Sequence, residues 1–390
     1  MMNRVYLDYS ATTPPDPQVV EAMVSVFGGS FGNASSVHSY GREARAILEQ
    51  SRDRVAHWIG ARSDEVFFTS GGTEADNHAV KGLALAGARI GKNEIVISAV
   101  EHHAVLEPAE SLRKAGFDVK LLPVDGFGQV DPDRLKRAIT SKTALISLML
   151  ANNEVGSINK IDEIRAIARE SGVPFHSDSV QAMGKIKVDV NRLGVDVLSI
   201  SAHKFYGPKG MGAIYIRKGT RIEPFMEGGS QESNRRAGTE NVPLAAGFAK
   251  AAEIAEARMD EDYQKIFGLR KKMLARLTAE FAGLLVNGHR TEGLPHILSV
   301  SFDSSVTPLD GDAIIMGLDL EGVAVTSGSA CTSGSLQASH VLLAMGRDER
   351  TARATVRFSL GRYTTEQEIN FAVDALKRVV ERVTKAGTSG

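Results

Sequence analysis

Midway along the chain, Val197-Leu-Ser-Ile-Ser-Ala-His-Lys-Phe-Tyr-Gly-Pro-Lys-Gly-Met-Gly-Ala-Ile-Tyr-Ile216 places a His-Lys pair, His203 and Lys204, between an apolar, strand-like run and a glycine-rich turn. Lys204 is thereby set at the lip of a sheet. A lysine there can lose its proton through desolvation and attack a carbonyl, as a Schiff base with a substrate or with pyridoxal phosphate (PLP) requires. Most lysines are solvated surface residues, so the chemical reading rests on the residues that accompany Lys204.

Three segments bear on it. Thr69-Ser-Gly-Gly-Thr-Glu-Ala-Asp-Asn77 follows a strand and opens a helix, so backbone N–H groups and the Ser70 and Thr73 hydroxyls can converge on an anion. The Gly-Lys-Ser/Thr of a P-loop and a dinucleotide fingerprint are both missing, which disfavours a nucleotide; the plain alternative is an ordinary helix cap. Phe175-His-Ser-Asp-Ser-Val-Gln181 puts Asp178 just beyond a strand end, where open α/β sheets bind ligands. A carboxylate there can keep a pyridine nitrogen protonated, making the ring a better electron sink, and Gln181 can contact a ring hydroxyl. Val100-Glu-His-His-Ala104 offers His102 and His103, either to stack on a planar cofactor or to ligate a metal. No second cluster at ligand spacing accompanies them, so no metal is expected. A hydrolase using His102, His103 and His176 is the metal-dependent alternative.

With 390 residues the chain exceeds what one core usually supports, and a large and a small domain are expected. Lysines plus arginines (46) nearly balance aspartates plus glutamates (47), so nothing in the net charge draws the protein to nucleic acid or an anionic membrane. No apolar run approaches the ~18 residues of a membrane span, and the N-terminus lacks a signal-peptide core; the expected location is cytoplasmic. Cys331 is the only cysteine, which excludes an intramolecular disulfide and makes it either packing or a reagent. It lies in Thr326-Ser-Gly-Ser-Ala-Cys-Thr-Ser-Gly-Ser335, a polar, glycine-bearing loop suited to a mobile nucleophile.

The elements needed to position these residues can be read from the pattern. Strand-like runs at 65–69, 94–98, 119–122, 144–148, 173–176, 195–200 and 213–216 alternate with helical spacing at 104–115, 131–140 and 161–171, the rhythm of βαβ units. From 242 to about 285 the chain reads as long helices, with Pro243 near the start. Strands at 297–302, 323–326 and 354–360, with helices at 311–320 and 364–383, then suit a small α+β unit.

Together these segments and others resemble the class V aminotransferase superfamily of fold-type I PLP enzymes, and within it the NifS/IscS-like cysteine desulfurases. The resemblance runs nearly end to end, through Tyr6-Leu-Asp-Tyr-Ser-Ala-Thr-Thr-Pro14, Phe31-Gly-Asn-Ala-Ser-Ser-Val-His38, Ala151-Asn-Asn-Glu-Val-Gly156, Arg235-Arg-Ala-Gly-Thr-Glu-Asn241 and Val356-Arg-Phe-Ser-Leu-Gly-Arg-Tyr-Thr-Thr365, besides those above. It implies an α/β fold: a large PLP-binding transferase domain (15–257) with a mostly parallel sheet flanked by helices, and a smaller α+β domain (1–14 and 258–390) carrying the cysteine loop. It further implies that Lys204 binds PLP covalently, that His102 stacks on its ring, and that Asp178 pairs with the ring nitrogen. Gly72, Thr73, Ser201 and His203 would hold the phosphate, with Thr239 reaching it from the partner of a homodimer. Asn153 and Gln181 would touch the ring substituents, and Arg357, with Asn33 and Asn153, the substrate carboxylate. The implied reaction converts L-cysteine to L-alanine and leaves a persulfide on Cys331 for a protein acceptor such as an iron–sulfur scaffold. Selenocysteine lyase, class V aminotransferase and a sulfur-relay partner with vestigial catalysis are the alternatives. Ala34 stands where such proteins often have proline, and the chain ends at Gly390, short of the tail that many carry to help dock a scaffold.

Overall fold

A computed structural model describes residues 4–328 and 337–387. In chain order the elements are β1 (Val5–Tyr6), α1 (Pro17–Gly29), α2 (Ser39–Trp58), β2 (Val66–Thr69), α3 (Gly72–Ala88), β3 (Glu94–Ser98), α4 (His103–Lys114), β4 (Asp118–Leu122), α5 (Pro132–Ala138), β5 (Thr143–Ser147), α6 (Ile161–Ser171), β6 (Phe175–Asp178), α7 (Val190–Leu193), β7 (Val197–Ser201) and β8 (Gly212–Ile216). There follow α8 (Gln231–Asn234), α9 (Val242–Glu280), β9 (Leu284–Asn287), β10 (Ile297–Phe302), α10 (Gly311–Leu320), β11 (Val323–Ala324), α11 (His340–Ala344), α12 (Glu349–Arg353), β12 (Thr355–Ser359) and α13 (Glu366–Gly387).

The central sheet runs β2-β8-β7-β6-β5-β3-β4. Its five strands from β7 to β4 are parallel, and β8 is antiparallel to both its neighbours. Every residue of β3, β5 and β7 is buried, as expected of parallel strands covered by helices on both faces. The core around them includes Val55, Ile59, Phe175, Leu198, Tyr215 and Phe248. Three-stranded β12-β10-β9 forms a second, antiparallel sheet, and β1 pairs with β11. Leu7, Leu298, Val300, Phe358 and Leu376 lie in the core of that part.

Helix α9 links the two. Its first half buries Ala245, Phe248, Ala251 and Ala252 against the large core, and its second half buries Ile266, Leu269, Met273 and Leu277 in the small one. At 39 residues it is ~58 Å long, one helix where several were expected. It stops at Glu280, short of the expected end near 285, because Gly283 turns with φ +71° and residues 284–287 then pair with β10. The expected strand at 173–176 begins instead at Phe175, since Pro174 has no N–H for the ladder. This shift makes Asp178 the last residue of β6. Helices α1 and α2, not anticipated from pattern, pack on α9.

Candidate active site

The parallel strands deliver their chemistry at their C-terminal ends. A cavity of about 340 Å³ opens there, lined by Gly72 and Thr73 from the start of α3, His102 ahead of α4, Asn153 after β5, Asp178 at the end of β6 with Gln181 beyond it, Ser201 at the end of β7 with His203 and Lys204 beyond it, and Arg357 from β12. Residues as far apart as 72 and 357 thus face one space.

Lys204 ends a single 3-10 turn (Ala202–Lys204) in which Phe205 N–H donates to Ala202 O. Its Nζ donates to the carbonyls of Ser10 (2.5 Å) and Ala11 (2.9 Å). Burial, reinforced by the Arg357 cation and opposed by Asp178 and Asp8, brings its pKa down to about 8. A sizeable neutral fraction therefore exists near neutrality, as a nucleophilic amine needs. The Asp178 carboxyl is buried and accepts from Val180 N–H at 2.9 Å. Burial pushes it up to about 6 against that bond and against Lys204. His102 caps α4 through Nδ1, which accepts from Ala104 N–H at 3.0 Å, and burial lowers it to about 4. It presents a neutral ring.

An adjoining cavity of about 420 Å³ is lined by Thr12, Ser70, Thr73, Ser201, His203 and Lys209. Helix α3 opens beside it with Gly71 as N-cap and no side-chain cap, leaving its first turn to an anion. A Cβ on Gly72 would meet Val180 Cγ2 at 2.8 Å, so the approach of helix to strand requires glycine there. His203 Nδ1 lies 3.1 Å from Thr12 Oγ1.

At the other end, Arg357 is buried, donates to Asn153 O (2.9 Å) and Asp8 Oδ1 (3.0 Å), and among the described residues its buried Nε has no partner. A guanidinium with spare donors suits a carboxylate. Gln181 Nε2 donates to Ser10 O at 2.9 Å.

Two expected site residues stand apart from this cavity. Asn33 is exposed and occupied by its own turn, accepting from Ser35 N–H at 2.8 Å. Thr239 is exposed and lines a neighbouring hollow with Ser70, Gly210 and Arg236. Cys331 lies outside the described residues; Thr326 and Gly328, just upstream, line the main cavity. His103 is exposed, 3.6 Å from Glu107, and His176 is fully buried between Ser147 Oγ (2.8 Å) and Ser199 Oγ (3.0 Å). Among the described residues no group of three or more His, Cys, Asp or Glu could hold a metal.

Asp8, Ser10, Ala11, Asp76 and Lys209 also line these cavities without having been singled out. Asp76 had a usable signal: it lies one helical turn beyond Gly72 and Thr73 in the same motif and so shares their face. Its carboxyl is buried beside Asp178 and held well above the usual range, first by burial and then by that neighbour.

The family model of class-V aminotransferases matches residues 5–371. The chain is 50% identical over 383 residues to a cysteine desulfurase IscS of Dictyoglomus turgidum, covering 98% of this chain and 96% of that protein. It is 43% identical to a cysteine desulfurase IscS of Methanosarcina thermophila, covering 97% and 92%. Among solved structures it is similar to a NifS-like protein (TM-score 0.90, 37% identity, 97% and 100% covered) and to SspA in complex with cysteine (TM-score 0.79, 33% identity, 93% and 100% covered).

Proposed function

We infer that this chain, which belongs to the class-V aminotransferase family and is a PLP-dependent cysteine desulfurase, moves the sulfur of L-cysteine onto Cys331 and releases L-alanine. The observation that carries the site assignment is the cavity itself: an amine with its pKa drawn down to about 8, a buried carboxyl at a strand end and a buried guanidinium line one space.

The residues present fit the cofactor. Lys204 would hold it covalently, Asp178 would face its ring nitrogen, and His102, neutral, would lie against the ring. Gly72, Thr73, Ser201 and His203, with Lys209 close by, would take the phosphate; Asn153 and Gln181 would meet the ring substituents. When bound, PLP supplies the electron sink that lets bonds at the substrate's Cα and Cβ ionise. Arg357 binds the substrate carboxylate, with Asn153 beside it, and so sets which bond faces Lys204. Lys204, once its amine is free, moves the Cα proton. The Cys331 thiolate attacks the substrate sulfur: an S–S bond forms, the Cβ–S bond breaks with its electron pair left on carbon, and that carbon takes up a proton as alanine departs. The sulfur leaves as a persulfide passed to a protein thiol, such as one on an iron–sulfur scaffold.

We place the work of the chain in a homodimer. Support comes from an apolar face on which Val20, Val24 and Phe27, at i, i+4 and i+7 of α1, are exposed, with Phe31 and Val37 beyond. Thr239, exposed next to the phosphate-side cavity, would serve the partner's site, and Asn33 would reach a substrate only across such an interface. Residues 15–257 are read as the cofactor-binding domain and 1–14 with 258–390 as the domain carrying Cys331. No helix among the described residues is long and apolar enough to cross a membrane; a reactive thiol as the reagent suits a reducing, cytoplasmic setting.

The test compares wild type with Cys331→Ser, measuring alanine formed from L-cysteine and persulfide mass on the chain. Loss of both with the cofactor absorbance retained supports the assignment. Alanine at the wild-type rate from the variant would make Cys331 a bystander.

A further inference from the structure

Glu154 follows Asn153 in the turn after β5, a place that invites a functional reading of its own. The turn is rigid: Asn152 Oδ1 accepts from the N–H groups of Glu154 (2.8 Å) and Val155 (2.9 Å), while Asn152 Nδ2 donates to Val100 O (3.0 Å). Glu154 is buried. Its Oε2 accepts a short hydrogen bond from Ser339 Oγ, and the same serine caps α11 through Val341 N–H (3.1 Å) and Leu342 N–H (3.2 Å). Gly328, with φ +97°, borders the same carboxyl: a Cβ there would meet Glu154 Oε2 at 3.0 Å. Gly328 N–H donates to Thr326 Oγ1 (3.2 Å), and Thr326 O accepts from Arg357 N–H (2.7 Å). One carboxylate oxygen thus borders the chain on both sides of residues 329–336, the stretch that contains Cys331.

We propose that Glu154 is a positioning residue that holds the two roots of the cysteine-bearing segment at a set separation beside the cavity. Cys331 is three residues beyond Gly328, so its Cα stays within ~11 Å of that root whatever path the chain takes. Where the roots sit therefore decides which part of the cavity the thiol can reach. An apolar side chain would fill the same volume at less desolvation cost than a buried carboxylate. What the carboxylate adds is a directional bond tying the downstream root to the wall against which the upstream root packs. The inference rests on the sulfur-accepting role of Cys331 proposed above.

The chain's single cysteine makes the test clean. Holoenzymes of wild type, Glu154→Gln, Glu154→Asp and Glu154→Ala are compared by the rate at which iodoacetamide alkylates Cys331, followed by intact mass, and by steady-state alanine formation. Gln can still accept from Ser339 and should keep both rates near wild type. Asp keeps the charge but falls short by one methylene, and Ala removes the contact. Since ~1 Å of misplacement is worth up to ~100-fold in rate, both should alter alkylation several-fold and lower kcat by ~10-fold or more, with KM and cofactor absorbance within ~2-fold of wild type. Should Ala fail to fold, Asp carries the test. Alkylation of the Asp or Ala variant at the wild-type rate overturns the proposal, as does failure of Gln to rescue, or a kcat loss matched by loss of cofactor. Alkylation does not depend on Cys331 accepting sulfur, so an active Cys331→Ser would sink that reading while the alkylation rates still judge Glu154.

Discussion

At the residue scale the site turns on Lys204, whose pKa falls from 10.5 to about 8 mainly because its charged form is poorly solvated. Covalent uptake of PLP by apoprotein should therefore rise with pH through a midpoint near 8 and level off above it; His102 and His203, both drawn down to about 4 by desolvation and by the Lys204 charge, cannot produce that limb. Absorbance-monitored uptake checks this, and Arg357→Leu, which removes a cation that lowers Lys204, should move the midpoint upward. The same shift has a stability consequence. Between pH 8 and 10.5 the unfolded chain carries a proton on Lys204 that the folded one has lost, so this group's penalty is full below 8 and fades as pH rises. Lys204→Met apoprotein should be more stable than wild type at pH 7, with the gap closing by about pH 10.5 in urea titrations. Borohydride should fix the cofactor to Lys204. Lys185, a buried lysine likewise drawn down to about 8, donates to Lys204 O and does not line the cavity; finding the label there would overturn the assignment.

At the scale of elements, α8 is the costly piece. Glu232, Ser233 and Asn234 hold φ of 45°, 54° and 61° in succession, a left-handed turn that costs roughly 1–2 kcal/mol per non-glycine residue. Arg52 of α2 offsets this by donating to both oxygens of buried Glu232 (2.6 and 2.9 Å), which also accepts from Phe68 N–H at 2.9 Å. Glu232→Ala would strip the Arg52 cation of its two-oxygen partner and leave it Glu49 (3.2 Å) and the Val66 carbonyl (2.9 Å), a loss of up to roughly 3 kcal/mol, visible as a lowered urea midpoint. Ser233→Gly should instead be neutral or stabilising by up to ~1 kcal/mol, because glycine adopts positive φ without strain. The turn leads into Arg236 and Thr239, and Arg236 pairs with Glu74 of α3 at 2.9 Å. Glu232→Ala should accordingly also weaken cofactor retention on dialysis.

For the whole molecule, the exposed face of α1 is the feature an isolated chain leaves unexplained. Phe27 and Val24 are each about 60% exposed, and two-fold pairing is the commonest way to cover such a patch. Phe27→Glu should weaken the dimer by ~30-fold or more if Phe27 is an anchor, as sedimentation would report. Thr239→Ala should lower cofactor affinity in the dimer. A monomer of wild-type mass that retains full activity at micromolar concentration would remove the argument for Thr239.

Lys204, Asp178 and the Gly72–Thr73 cup were legible from sequence because strand runs, glycine turns and helix starts are local, and in parallel sheets the chemistry gathers where strands end. The ten-segment resemblance supplied the cofactor and the reaction on the same local basis. Contacts between distant segments were not legible. Ser10 O, the acceptor for Lys204 Nζ, is 194 residues away from it, and Glu154 meets Ser339 across 185 residues; neither pairing leaves a trace in spacing. The helical pattern runs on to about 285, into the start of β9, because pairing with β10, rather than local residues, makes 284–287 a strand. Asp76 illustrates the same division: the motif set its face of the helix, but only tertiary burial, with Asp178 brought near, raised its pKa. Local pattern determines which groups stand at the rim of the sheet. Packing decides which of them share a cavity, and through desolvation and proximity which protons they keep.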